Sequence, residues 1–133
     1  MRPEITLILH NIRSTHNVGA IFRTAEGLGV KHIVISGYTP FPDLAIINQP
    51  DSRLPHLVEK ITKQIHKTAL GAEQMVPFRR YETLEEWLEE NERTGNLPVI
   101  ALEQAPDSTS LPDFIPQKAF ALLLGEEVDG ISA

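Results

Sequence analysis

The segment N-V-G-A-I-F-R-T-A at residues 17–25 places an amide, a glycine and a guanidinium at the start of a predicted helix. Spacing alone allows a structural interpretation, in which Asn17 caps the helix and Gly19 tolerates a tight first turn. This interpretation does not explain Arg23. The structural alternative for Arg23 is a surface salt bridge, for which Glu26 at i+3 is the only acid within helical reach. The segment therefore marks a candidate site.

A second segment, L-L-L-G-E-E-V-D-G-I-S at residues 122–132, leads a buried strand into a glycine and two carboxylates. Gly125 has no Cβ, so its backbone can approach a flat ligand such as an adenine ring closely. On spacing alone, a plain turn explains Gly125 equally well. Both segments follow predicted parallel strands, and ligands of α/β sheets bind outside the carboxyl ends of such strands.

Other familiar motifs do not have the sequence context that their functions require. The sequence G-L-G-V-K-H at residues 27–32 ends a helix and precedes a strand, which is the reverse of a dinucleotide-binding loop. His10 and His16 have neither the spacing of a zinc site nor a third ligand nearby, and no serine lies in a G-x-S-x-G elbow. We therefore expect neither a metal site nor a hydrolase triad.

Composition predicts one globular domain, residues 1–133, located in the cytoplasm and not in a membrane. The chain is 41% hydrophobic and contains no cysteine, and its longest apolar run, 119–124, is too short to cross a bilayer. The net charge is −6, yet residues 1–80 carry +4 and residues 81–133 carry −10. The basic part is a candidate footprint for phosphate, while the acids around Trp87 are typical of a solvated helix face.

The alternation of strand and helix patterns predicts an α/β fold with a parallel sheet flanked by helices. Strands are predicted at residues 5–9, 31–36, 74–78, 98–102 and 119–124. Helices are predicted at residues 18–28, from Pro55 to about Gly71, and from a capping box at Thr83 to Asn96. The residues expected to face inward from these helices are Val18, Ile21, Phe22, Ala25, Leu28, Leu57, Ile61, Ile65, Leu84, Trp87 and Leu88.

Residues 17–25 and 122–132 resemble the first and second motifs of the SpoU branch of the SPOUT superfamily. These proteins are S-adenosylmethionine-dependent RNA 2′-O-ribose methyltransferases with a knotted α/β fold. Residues 67–73, K-T-A-L-G-A-E, resemble the segment that the family carries before its third strand. Glu126 departs from the family pattern, which often has asparagine there, and the family's third motif is not found before Ala133.

The resemblance implies attack of a ribose 2′-oxygen of tRNA or rRNA on the methyl group of S-adenosylmethionine, with S-adenosylhomocysteine as the product. It assigns Asn17, Arg23 and Glu127 to the catalytic centre, and Leu102 and Gly125 to the cofactor pocket. A guanidinium is a poor proton acceptor, so we interpret Arg23 as a group that fixes phosphate and stabilises the developing alkoxide. The sequence leaves open whether Arg23 instead activates the hydroxyl directly.

The resemblance also implies a homodimer in the full-length form, in which each subunit supplies basic surface to the other's site. Contacts to RNA are expected from Arg13, Arg53, Lys60, Lys63 and Lys67.

Without the third motif, which completes the knot and one wall of the cofactor pocket in the family, we expect a C-terminally truncated domain. Such a domain would have an incomplete knot and would bind S-adenosylmethionine poorly. Two alternatives stay open. One is a catalytically silent RNA-binding module of the same fold, and the other is a nucleotide-binding regulatory α/β domain, which the acidic balance favours.

Overall fold

The computed structural model describes residues 3–102 and 119–125. Within these residues, five parallel strands form one sheet of order β3-β2-β1-β5-β4. The strands are β1 Glu4–His10, β2 His32–Ser36, β3 Phe78–Tyr81, β4 Val99–Leu102 and β5 Ala119–Leu124, and the helices are α1 Thr15–Leu28, α2 Pro55–Ala69 and α3 Leu84–Thr94. The predicted α/β fold with a parallel sheet flanked by helices is confirmed.

Alternate residues of the central strands bury their side chains on opposite faces of the sheet. Leu7 and Leu9 of β1 pack with Phe22 of α1 and Ile65 of α2 on one face. The neighbouring Ile8 packs on the other face, in a cluster with Leu84 and Trp87 of α3. Helices α1 and α2 therefore lie on the face opposite to the acidic helix α3.

Helix α1 begins three residues earlier than predicted, and its cap is Ser14. The Ser14 hydroxyl accepts a hydrogen bond of 3.1 Å from the backbone N–H of Asn17. The interpretation of Asn17 as the cap was therefore wrong, and Asn17 lies in the first turn. The predicted stop is confirmed, since Gly29 adopts the left-handed conformation (φ 73°) and Val30 N–H donates to the carbonyl of Ala25 at 2.9 Å.

Gly19 is a buried residue in the middle of the contact between α1 and α2, which corrects its assignment to a tight first turn. A Cβ at this position would overlap the hydroxyl of Thr68 and the carbonyl oxygen of Ile65. The Thr68 hydroxyl also donates a 2.8 Å hydrogen bond to the carbonyl of His16 in the first turn of α1. The missing side chain thus lets the two helices approach closely.

The third strand lies later in the chain than predicted. Residues 74–78 were expected to form it, whereas β3 is Phe78–Tyr81 and pairs with β2 from Ile33 to Ser36. The preceding residues form a short 3-10 helix, Ala72–Gln74. Glu73 stabilises this turn, because its buried carboxylate accepts from the Gly71 N–H at 2.9 Å and contacts the His66 ring at 2.7 Å.

Three leucines that were expected to face inward, Leu28, Leu57 and Leu88, are exposed. Leu57 is one position away from the buried side of α2, which is centred on Val58 and Ile65. Leu88 is exposed because only Leu84 and Trp87 of α3 are buried against the sheet.

Leu28, at the end of α1, is 64% exposed and borders a groove on the α1 face of β5 and β4.

We predict that Gly19→Ala destabilises the protein by about 1–3 kcal/mol, since the new methyl group must push α2 away from α1. Gly27→Ala is the matched control in the same helix. A Cβ there meets no atom within 4 Å, so this variant should gain about 0.5–1 kcal/mol. Urea unfolding measures both changes, and equal effects at the two glycines would contradict this account of the helix contact.

Candidate functional site

The carboxyl ends of all five strands lie along one edge of the sheet, with β1 in the centre. Leu102 at the end of β4 pairs with Leu124 at the end of β5, and Leu124 pairs with Leu9 of β1. Gly125 follows Leu124 directly. The structure therefore brings together the two residues that were predicted to bind the cofactor, Leu102 and Gly125, on the β5 side of β1.

An open groove of about 860 Å³ runs from this edge across β5 and β4, beside α1. Its lining is apolar apart from Asn17 and Thr24, among the described residues that form it. Asn17, Leu102 and Leu124 share the groove at the carboxyl end of the sheet. Its size and apolar walls suit a ligand with an aromatic ring.

Arg23 does not line the groove. It lies six residues after Asn17, so the two side chains leave the helix about 120° apart and about 9 Å apart along its axis. The Arg23 side chain is exposed. Among the described residues, no carboxylate forms an ion pair with Arg23, and Glu26 is no exception. Glu127, the third predicted catalytic residue, lies outside the described residues.

Arg53 has a structural role, which argues against its predicted contact with RNA. Its Nε and Nη2 atoms donate to the two carboxylate oxygens of Asp51 at 2.9 and 2.6 Å. Nη1 and Nη2 also donate to the carbonyls of Phe41 and Pro42, and the guanidinium lies 3.7 Å from the Phe41 ring centroid. Because these donors and the face over Phe41 are used within the protein, the structure assigns Arg53 a structural role in place of the predicted RNA contact.

The other basic residues of the predicted RNA surface are exposed. Lys60, Lys63 and Lys67 lie along the outer side of α2, where Lys63 forms an ion pair of 2.9 Å with Glu59. This ion pair lowers the pKa of the Glu59 carboxyl. Arg13 is exposed just before α1, and its guanidinium lies 5.9 Å from the Tyr38 ring centroid.

Sequence reasoning missed the hydrogen bonds that join the loop after β1 to the loop after β2. Asn11 and Gly37 both have positive φ, and the Asn11 side-chain oxygen accepts from the Tyr38 N–H at 3.1 Å. The buried Thr39 hydroxyl donates to the Leu9 carbonyl at 3.2 Å and accepts from the Ile12 N–H at 2.9 Å. The sequence did contain a signal for these turns, since an asparagine and a glycine, which both tolerate positive φ, each directly follow a strand.

No helix in residues 3–102 and 119–125 is long and apolar enough to span a membrane. The same residues include no group of three or more His, Asp or Glu side chains that could hold a metal ion.

These features define a class of protein: a parallel α/β domain with an apolar groove beside α1 that reaches the carboxyl ends of β5 and β4. Comparison with known proteins makes the assignment narrower. The sequence profile of the SpoU rRNA Methylase family matches residues 52–133. The chain therefore belongs to this family.

Individual relatives agree with the family match. The chain is 29% identical over 129 residues to the 23S rRNA (guanosine-2′-O-)-methyltransferase RlmB of Nitrosomonas europaea, covering 97% of this chain and 42% of the relative. Its fold matches that of the AdoMet-bound rRNA methyltransferase of Sinorhizobium meliloti with a TM-score of 0.73 at 21% identity, over 99% of this chain and 43% of that chain. Its fold also matches that of the SpoU methyltransferase AviRb of Streptomyces viridochromogenes, with a TM-score of 0.68 at 22% identity. This match covers 97% of this chain and 44% of that chain. The chain thus spans less than half the length of these proteins.

We predict a pH-dependent contribution of Asp51 to stability. Arg53 holds the pKa of the nearly buried Asp51 carboxyl well below its usual range, chiefly by hydrogen bonding. This stabilisation is complete above the unfolded pKa of about 3.9 and is lost as pH falls towards the folded pKa. The difference in free energy of unfolding between the parent and Asp51→Asn should therefore narrow by about 1 kcal/mol as the pH falls from 6 to 3.

Urea unfolding at pH 6, 4.5 and 3 measures this gap. Arg53→Gln is the control, because without the guanidinium the carboxyl loses the main cause of its low pKa. The Arg53→Gln protein should then lose less stability on acidification than the parent. A gap between parent and Asp51→Asn that stays constant with pH would contradict the assignment.

Proposed function

We propose that the protein transfers a methyl group from S-adenosylmethionine to the 2′-hydroxyl of a ribose in tRNA or rRNA. The main support is the convergence of Asn17, Leu102 and Leu124 on one groove, in a chain that belongs to the SpoU rRNA methylase family. The named activity of the RlmB relative agrees with this reaction.

The groove fits S-adenosylmethionine in its chemistry. Its apolar walls can cover the adenine, and Gly125 lets the backbone at the end of β5 approach the ring without a side chain between them. The bound cofactor supplies an activated methyl group and leaves as S-adenosylhomocysteine. Asn17, which borders the same groove, offers an amide that can position the ribose, and Glu127 is assigned to the same centre.

Arg23 binds the phosphate beside the target ribose in this proposal, and its charge stabilises the oxyanion that develops at the 2′ position. The proton of the hydroxyl passes to phosphate or water. Since Arg23 faces away from the groove of its own chain, we propose a homodimer in which Arg23 of one subunit serves the groove of the other.

The RNA is expected to contact Arg13, Lys60, Lys63 and Lys67 as well. The lysines lie on α2, on the sheet face opposite to the acidic helix α3. With such a substrate, we place the protein in the cytoplasm. Filter binding of bulk tRNA and bulk rRNA at two salt concentrations tests the RNA partner, since binding through Lys and Arg weakens steeply with salt. A salt-independent or absent interaction would favour the nucleotide-binding alternative.

We predict that Arg23→Ala lowers the methylation rate by at least about a hundredfold and leaves cofactor affinity within a few-fold of the parent. Transfer of a tritiated methyl group into bulk tRNA or rRNA measures the first effect, and calorimetric titration of S-adenosylmethionine measures the second. Arg93→Ala is the control, because Arg93 is an exposed arginine on α3 and should tolerate the change. Near-normal turnover by Arg23→Ala would exclude Arg23 from catalysis.

A mixing experiment tests whether Arg23 acts across subunits. Arg23→Ala and Gly125→Val subunits, refolded or coexpressed together, should recover about a quarter of parent activity, because half of the dimers are mixed and each mixed dimer has one intact site. Recovery would fail if Arg23 and the cofactor groove act within one chain.

We predict that Gly125→Val weakens S-adenosylmethionine binding at least about tenfold, because the branched side chain occupies the space where the adenine approaches the backbone. RNA affinity should change little. Gly95→Val, at the end of α3, is the matched control, since a Cβ there meets only the Asn91 side chain at 3.9 Å. Equal cofactor affinity in parent and Gly125→Val would show that Gly125 forms only a turn.

A further inference from the structure

We infer that Tyr38, with Arg13 beside it, is a stacking platform for an unpaired RNA base next to the methylated nucleotide. This inference rests on the proposed function and adds a contact that positions the RNA substrate. Stacking on an aromatic ring and pairing of the neighbouring phosphate with arginine is a common way to hold single-stranded RNA.

The Tyr38 ring is presented to solvent from a fixed backbone. The residue is 50% exposed, whereas its N–H donates to the Asn11 side-chain oxygen at 3.1 Å. A Cβ at Gly37 would overlap that same oxygen, so the turn lies directly on Asn11. An exposed aromatic residue on such a turn loses little conformational freedom when a base binds to it.

Contacts on both sides of Tyr38 hold its loop against the end of β1. The Thr39 hydroxyl bridges Leu9 and Ile12, and His10 Nδ1 lies 3.1 Å from the Ser36 hydroxyl at the ends of β1 and β2. The loop that carries Tyr38 and the loop that leads into α1 therefore form one rigid unit.

The charge around the ring suits a phosphate. The Arg13 guanidinium lies 5.9 Å from the ring centroid, and Arg80 Nη2 donates to the Gly37 carbonyl at 3.4 Å beneath the same turn. Two guanidinium groups thus lie close to the ring or to its turn, and arginine pairs well with phosphate.

The position along the sheet edge fits the reaction. Tyr38 follows β2, on one side of β1, whereas Leu102 and Gly125 follow β4 and β5 on the other side. Arg13 directly precedes the Ser14 cap of the helix that carries Asn17. A base held on Tyr38 would leave its neighbouring ribose free to cross the start of α1 towards the cofactor groove.

Fluorescence anisotropy with labelled hexaadenylate and hexauridylate RNA tests the platform on the full-length protein. The parent should bind the adenine oligomer more tightly, since purines stack more strongly. Tyr38→Ala should weaken adenine-oligomer binding about tenfold or more. The slope of log binding constant against log salt concentration should not change, because no phosphate contact is lost. Arg13→Gln should instead reduce the magnitude of the slope by about 0.7.

Two further variants separate stacking from folding effects. Tyr38→Phe keeps the ring and should bind like the parent, whereas Tyr38→Leu keeps apolar bulk without a ring and should bind like Tyr38→Ala. Thermal melting checks that each variant is folded. If the parent binds and methylates RNA but the Ala and Leu variants bind equally well, the platform is overturned and the proposed function stands. If the parent binds no RNA of any kind, both are overturned.

Discussion

The close approach of α1 to α2 is the constraint on which the candidate site depends. Gly19 has no side chain, so the Ile65 carbonyl and Thr68 hydroxyl of α2 occupy the space beside α1. The hydrogen bond from Thr68 to the His16 carbonyl then fixes the first turn of α1. That turn holds Asn17 at the groove, and the rest of the helix sets the outward direction of Arg23. A displacement of α1 by one methyl group would move both residues relative to the strand ends.

Strand β1 divides the carboxyl edge of the sheet into two regions. On one side of β1, strands β5 and β4 end at the apolar groove, and on the other side β2 ends at the loop that carries Tyr38 and is hydrogen-bonded to Asn11. Because all strands are parallel, both regions open at the same edge. The loop from β1 to α1 and the first turn of α1 lie between them. They contribute Ile12 and Asn17 to the groove, and Asn11 and Arg13 to the β2 side. A reaction between two bound partners requires this kind of adjacency.

The sequence pattern predicted the strand and helix order well, because hydrophobic periodicity and capping signals are local. It was less successful where tertiary contacts decide. Ser14 and Asn17 are both good cap residues, and only the packing of α1 selects Ser14. Gly19 could be interpreted as a turn residue until its partner α2 was in place, and Arg53 could be assigned to RNA until Asp51 and Phe41 surrounded it. The family resemblance singled out Asn17 and Leu102, which both line the groove. It gave no sign of the hydrogen bond between Asn11 and Tyr38, which joins residues 27 positions apart.

The charge distribution explains how a protein of net charge −6 can present a surface for phosphate. Six of its acids belong to α3 and the residues before it, and α3 packs on the sheet face opposite to α1 and α2. Each layer of such a domain is about 10 Å thick, so the outer surfaces of α2 and α3 are separated by more than two layers. At physiological salt the Debye length is about 8 Å, and charges on one face are largely screened from the other. In the proposed function, the RNA would therefore meet the lysines of the α1 and α2 face rather than the net charge of the chain.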